Sequence, residues 1–207
     1  MPPKVKFTKE EIVNAALNIT RRRGAQAVTT RDIAAELGVS TRPIFTYFKS
    51  MDEVREEVRL AAQAVYECYA ADGLRTRVPF FGVGMQHIRF AREEPELYRL
   101  LFLRSDERGG ALAAMRRLQE QVLPSIERIY RMDAATAERY FRDMWLVGHS
   151  LSTLIVTGEC PYDDAQIAQI LTGFSLSLCR ACKEVDGFVA GTFDRDAAFR
   201  AAIGEEK

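Results

Sequence analysis

Uncharged apolar runs are short in this sequence. The longest stretches free of Asp, Glu, Lys and Arg are 144–158 and 165–179, and both interleave Ser, Thr, His or Gln with apolar residues. A helix needs roughly 18–20 apolar residues to cross a bilayer, so no membrane span is expected. The opening Met1-Pro2-Pro3-Lys4 leads into no apolar stretch, which predicts no signal peptide and a soluble, cytoplasmic protein. Cysteine is sparse: four in 207 residues, too few for a disulfide framework in a chain this long. Net charge is missing as well. The 29 basic residues balance 29 acidic ones, which argues against a uniformly basic nucleic-acid binder and makes the distribution of charge the informative quantity. Long strand-like alternation, internal repeats and low-complexity tracts are absent. So are nucleophile–base pairs, paired catalytic acids and a glycine-rich phosphate loop; Gly82-x-Gly84 follows no strand and is no dinucleotide fingerprint. These absences argue against an enzyme, a bound cofactor and a metal centre.

What is present is a core and an uneven charge. Hydrophobic residues make up 47% of the chain, ordinary for a globular protein. Residues 1–50 carry nine bases (Lys4, Lys6, Lys9, Arg21, Arg22, Arg23, Arg31, Arg42, Lys49) against four acids (Glu10, Glu11, Asp32, Glu36), a charge of +5 that leaves −5 on the remainder. A small basic module on an acidic body is the footprint of a phosphate-binding domain. Periodicity reads as helix almost throughout. A first helix is expected over 8–23, with Thr8 as its cap, Ile12, Ala15, Ala16 and Ile19 as its apolar stripe, and Gly24 at its end. Thr29-x-x-Asp32 reads as a capping box for a second helix, 30–37, closed by Gly38. Ser40 is the expected cap of a third, 41–47, with Pro43 in its first turn. A fourth runs from Met51 to about Ala71. Further helices are expected near 79–93, 95–104, 111–131, 134–157 and 164–185, with Asp133 and Asp163 as caps and a kink at Pro124. Gly109-Gly110 marks a flexible connection, and a short helix is expected near 194–203.

Residues 29–49, TTRDIAAELGVSTRPIFTYFK, have the physics of a helix–turn–helix. Two short helices meet at a tight turn containing Gly38. Ile33, Ala34, Leu37, Val39, Ile44 and Phe48 supply the inner faces, which leaves Thr41, Arg42, Phe45 and Thr46 outward on a helix that fits the major groove of B-DNA. Arg31 and Arg42 are the candidate base readers, with solvated surface arginine as the alternative. Thr30, Tyr47 and Lys49 are placed to bind phosphate and set register, and Ser40 lies at the start of the same helix. Arg21–Arg23 read either as a nucleic-acid patch or as the basic C-terminus of a helix.

This stretch resembles the TetR family of bacterial regulators over residues 8–58. An apolar-striped helix ends in glycine, then AVTTRDIA, GVS and IFTYFK follow in order. The last block is similar to the family's leucine-tyrosine-x-histidine-phenylalanine signature, with Phe45 in place of tyrosine and Tyr47 in place of histidine. The loss of a hydroxyl at Phe45 removes one DNA contact, while Tyr47 keeps a donor. The resemblance implies an all-α protein: a three-helix helix–turn–helix DNA-binding domain, 1–52, and a larger helical ligand-binding and dimerisation domain, 53–207. It further implies a homodimer on double-stranded DNA, and repression of a pseudo-palindromic operator relieved by a small hydrophobic ligand. A dimeric regulator that recruits or answers to a protein partner is the alternative. Trp145-x-x-x-His149-Ser150, with Leu151 and Leu154 after it, resembles the tryptophan-histidine-glycine motif of one TetR subgroup, as does EEPELYRLLF at 93–102; Ser150 stands where that motif has glycine.

The C-terminal candidates are drawn more broadly. A pocket is expected beside the fourth helix, under helices 79–93, 95–104 and 111–131, with Phe81, Met85, Tyr98, Phe102, Met115, Trp145 and His149 as its lining; core packing is the alternative for each. The middles of 134–157 and 164–185 are nearly free of charge, and one protomer cannot easily surround both. Two-fold pairing into a four-helix bundle would bury them through Leu151, Leu154, Ile155, Ile167, Ile170, Leu171, Phe174 and Leu178. Cys179 and Cys182 share a helix face, so they read as two small buried residues or as half of a metal or redox site whose other half is missing nearby in sequence.

Overall fold

In the computed structural model, residues 7–104 and 110–204 are described; the Gly109 half of the expected flexible connection lies outside them. No strand occurs among the described residues. The first helix, α1 (Lys9–Arg23), starts at a full capping box: Glu11 donates its N–H to the Thr8 hydroxyl at 3.1 Å, and Glu11 accepts from the Thr8 N–H at 2.8 Å. A 3-10 turn (Ala25–Ala27) leads to α2 (Thr30–Leu37), which ends at Gly38 in the left-handed conformation, φ 67°, where glycine carries no Cβ penalty. The cap of α2 is one-sided. Thr29 accepts from the Asp32 N–H, but the Asp32 carboxylate takes the Thr29 hydroxyl rather than its N–H.

The segment after Gly38 differs from expectation. Only Ile44–Tyr47 is α-helical (α3), and no side chain caps it, so the role expected of Ser40 as a cap is corrected. Residues 41–43 form a turn in which the Ile44 N–H donates to the Thr41 carbonyl at 3.3 Å. The reason is Pro43: it has no N–H, and its ring disfavours α geometry at Arg42.

The long α4 (Met51–Leu74), capped by Ser50, leaves this unit and runs three residues past its expected end. It is followed by α5 (Pro79–Glu93), then α6 (Pro95–Tyr98), which widens into a π-helical turn over Arg99–Leu103. The remaining helices are α7 (Ala111–Tyr130), α8 (Ala134–Thr157), α9 (Asp164–Glu184) and α10 (Arg195–Ile203). Asp133, Asp163 and Asp194 cap the last three, as side-chain acceptors for the first free N–H groups. The α-helix of α7 continues through Pro124 unbroken.

Two apolar clusters hold the chain. One contains the stripe of α1 (Ile12, Ala15, Ala16, Ile19), the inner faces of α2 and α3 (Ile33, Ala34, Ile44, Phe48) and the start of α4, and extends to Phe90, Leu97, Tyr98 and Phe102. The helix–turn–helix unit and the first helices of the larger region therefore share one core. Each fully buried Ile here is worth about 1.5–3 kcal/mol. The second cluster lies among α5, α7, α8 and α9. A polar clamp supplements the first: Arg21 makes a two-pronged contact with Glu94 (2.9 and 3.0 Å), joining the end of α1 to the start of α6. The backbones of α4 and α5 touch at glycines. A Cβ on Gly73 would lie 2.5 Å from the Val83 nitrogen, so only glycine permits this approach.

Candidate nucleic-acid interface and effector cavity

The helix–turn–helix unit turns its polar and aromatic residues outward. Arg31, Ser40, Arg42, Phe45, Thr46, Tyr47 and Lys49 are exposed, and Thr30 and Thr41 half-buried. Phe45 is 52% exposed. Behind this face, Ile33, Ala34, Ile44 and Phe48 are buried, and Leu37 and Val39 half-buried. Among the described residues Arg31, Arg42 and Lys49 enter no ion pair. Arg21, Arg22 and Arg23 are each neutralised, by Glu94, Glu36 and Asp32. The local fold thus spends the basic triplet on structure and leaves the other three cations free at the surface. Tyr47 donates its phenol proton to the Phe7 carbonyl at 2.6 Å, so it ties the segment before α1 to the end of α3 and retains only acceptor capacity.

A cavity of about 50 Å³ opens between α5, α7, α8 and α9. Helix α5 contributes Phe80, Phe81, Val83, Gly84 and His87; α7 contributes Leu118 and Tyr130. Phe141, Met144, Trp145 and Gly148 come from α8, and Leu171 and Ser175 from α9. No charged side chain among the described residues lines it. Its position departs from expectation: α4 contributes no wall because α5 lies across it, and the 95–104 segment contributes none either. Of the expected lining, Phe81 and Trp145 face this space. Tyr98, Phe102 and His149 sit in an aromatic cluster beside it instead, and Met85 and Met115 pack, half-buried, against the second core.

His87, not singled out in the sequence, stands where cavity and cluster meet. It falls seven residues after Phe80 and four after Val83, the spacing of one helix face, and that is the signal that marks it. Its Nδ1 lies 3.1 Å from the Tyr66 hydroxyl on α4, and its ring packs edge-on to Phe102 at 5.1 Å. Burial, helped by nearby His149, drives its pKa down to about 3, so the ring is neutral at physiological pH. Burial also lowers the pKa of His149, which stacks on Trp145 at 4.8 Å and bonds the Tyr98 hydroxyl at 2.7 Å. Burial raises the Tyr98 phenol to about 12. Two polar atoms of the cavity's lining residues, His87 Nε2 and Trp145 Nε1, are buried without a hydrogen-bond partner among the described residues.

The expected pairing face splits in two. Leu151, Ile167 and Leu171 are buried in the chain's own core, Ile167 completely, so their assignment to a partner-facing surface is corrected. Ile155, Ile170 and Leu178 are half-buried, while Leu154 and Phe174 remain exposed, together with Leu146 and Leu176, which the sequence reading omitted. Cys160, Cys179 and Cys182 pack, half-buried, against the second core, and burial raises the Cys182 thiol. Among the described residues no group of three or more His, Cys, Asp or Glu side chains is placed to hold a metal ion, and no helix is long and apolar enough to cross a membrane.

Residues 12–58 match the family of bacterial regulatory proteins of the tetR type. The N-terminal unit is therefore a TetR-type helix–turn–helix domain, and the fold is TetR-like, with a larger helical C-terminal region and no strand among the described residues. A TetR-like transcriptional regulator from Rhodococcus sp. RHA1 shares that fold at a TM-score of 0.63. It is 15% identical, and the similarity covers 85% of this chain and 96% of that one. The matched family and this neighbour are described as regulators, not enzymes. No curated protein matches the sequence.

Proposed function

We propose that this protein is a cytoplasmic, sequence-specific DNA-binding repressor. It acts as a homodimer on a pseudo-palindromic operator and leaves the DNA when a small hydrophobic ligand occupies its C-terminal domain. One observation carries the reading. On a TetR-type helix–turn–helix, the cations that enter no ion pair among the described residues, Arg31, Arg42 and Lys49, are exposed, as are Phe45 and Thr46. Arginine is the commonest reader of guanine edges, and a lysine at the end of the helix meets phosphate. The DNA-binding domain is assigned to 1–52 and the effector and dimerisation domain to 53–207. Exposed Leu146, Leu154, Phe174 and Leu176 on α8 and α9 support a two-fold interface there. The stacked Trp145–His149 pair supports placement in the tryptophan-histidine-glycine subgroup. Selection of bound sequences from a random DNA pool tests the central claim. Two inverted half-sites about 10 base pairs apart, or a multiple of that, are expected. Recovery of no preferred sequence, or of isolated half-sites, would overturn it.

A further inference from the structure

The cavity combines apolar walls with two buried donors that nothing among the described residues satisfies. Trp145 Nε1 can only donate. For His87 the protonated nitrogen follows from Tyr66. That phenol is fully buried and has His87 Nδ1 as its hydrogen-bond partner at 3.1 Å. Donation from Tyr66 to Nδ1 satisfies both atoms, which puts the imidazole proton on Nε2. An unmet buried donor is costly, so a pair of them beside one cavity is either a defect or half of a binding site. Both belong to residues that line the same space, and both residues are over nine-tenths buried.

We propose that the cavity between α5, α7, α8 and α9 binds a small uncharged, largely apolar molecule whose carbonyl oxygen accepts from Trp145 Nε1–H and His87 Nε2–H. This deepens the ligand-released repressor reading and rests on it. Charge is excluded by the walls: no cation lines the site to meet an anion, and no carboxylate to meet a cation. The donors set the polarity of the ligand's one polar group as acceptor. Size sets the rest. At about 50 Å³ the empty space is about a third of an apolar cavity that takes up benzene. A ring-sized occupant must displace the half-buried Phe80 and Phe81 and push α5 outward. Helix α5 does not move alone, because Gly73 of α4 lies against the Gly82–Val83 backbone and His87 holds Tyr66 of α4 through its other nitrogen. The same imidazole therefore touches the ligand on one side and the helix leading to the DNA-binding unit on the other.

Three compounds of nearly equal size separate the possibilities: acetophenone, isopropylbenzene, which replaces the oxygen with a methyl group, and benzoate. Trp145 is the only tryptophan, so the single indole N–H resonance of the full-length protein reports the site directly. Acetophenone should bind about tenfold tighter than isopropylbenzene, benzoate more weakly than either, and acetophenone alone should move the indole resonance downfield. Trp145→Phe keeps a ring and removes the N–H, and should bring acetophenone to within about threefold of isopropylbenzene. The wild-type resonance decides the matter even if that variant misfolds. Equal binding of the two neutral compounds, preference for benzoate, an unmoved indole resonance, or no binding by any of the three would overturn the proposal. Operator affinity is measured separately on the selected DNA. Acetophenone bound with the stated preference but without effect on DNA leaves the ligand assignment standing and removes the repressor-release reading. DNA release by compounds that ignore the carbonyl does the reverse.

Discussion

Gly73→Ala and Gly148→Ala are the same substitution, each inside a long helix, and should move stability in opposite directions. At Gly73 the new methyl would sit 2.5 Å from the Val83 nitrogen, 2.6 Å from its Cα and 2.7 Å from the Gly82 carbonyl carbon. Carbon atoms pack at about 3.5–4.0 Å, so α5 must retreat by about 1 Å. All three neighbours are backbone, and no rotamer change relieves them. Overpacking of this kind costs about 1–3 kcal/mol, and the better helix propensity of alanine returns about 1 kcal/mol. With no side chain to yield, a net loss of about 2 kcal/mol is expected, a fall of about 4–8 °C in Tm for a chain of this size. At Gly148, buried on α8, the methyl would meet no atom within 4 Å. Only the propensity gain remains, about 1 kcal/mol and about 2–4 °C upward. Thermal unfolding followed by helix circular dichroism checks both, at one fixed protein concentration so that self-association does not shift Tm between variants. A Gly73→Ala variant as stable as the wild type, or two shifts of the same sign, would refute the packing argument.

Arg42→Ala and Arg31→Ala should each weaken operator binding by about 1–3 kcal/mol and relax sequence preference, whereas Lys49→Ala should weaken all DNA alike and reduce the salt slope by about 1; titrations at several salt concentrations separate the two classes. Phe174→Glu puts a charge on a side chain 54% exposed in the protomer, so folding should survive while sedimentation shows monomer and operator affinity drops; a variant that remains dimeric would move the interface elsewhere. His87 is neutral in the fold because burial holds its pKa near 3, while the unfolded chain takes up a proton near pH 6.5. Below that pH the unfolded state gains protons that the folded state does not, so stability falls by about 1.4 kcal/mol per pH unit from this group as pH drops toward 3. Urea unfolding at pH 7 and pH 5 should show about 2 kcal/mol less acid loss in His87→Gln than in the wild type; equal loss would mean His87 is not buried neutral.

Helix ends and the exposed side of the helix–turn–helix were legible because they depend on neighbours a few residues away. Thr8, Asp133 and Asp163 cap the helices they precede, since a cap is a bond from one side chain to the next turn. The outward set Arg42, Phe45 and Thr46 follows from which residues of a short helix–turn–helix must face inward. The exception is also local: Pro43 removed the first turn of α3, a consequence carried by its own ring. What the sequence could not decide is which apolar faces meet. The stripes of α8 and α9 are equally apolar whether they cover their own core or a partner, and only the packing shows Ile167 and Leu171 buried while Phe174 stays outside. The same holds for the cavity. Tyr98 and Trp145 look alike as candidates in sequence, but the crossing of α5 between α4 and α8 puts Trp145 on the wall and Tyr98 behind it. His87, spaced like any inner-face residue, becomes a buried donor only because Tyr66 arrives from another helix to occupy its second nitrogen. Local hydrogen bonding and helical period are properties of the chain, whereas a cavity is the space left by four helices whose relative placement is set by the packing of all of them at once.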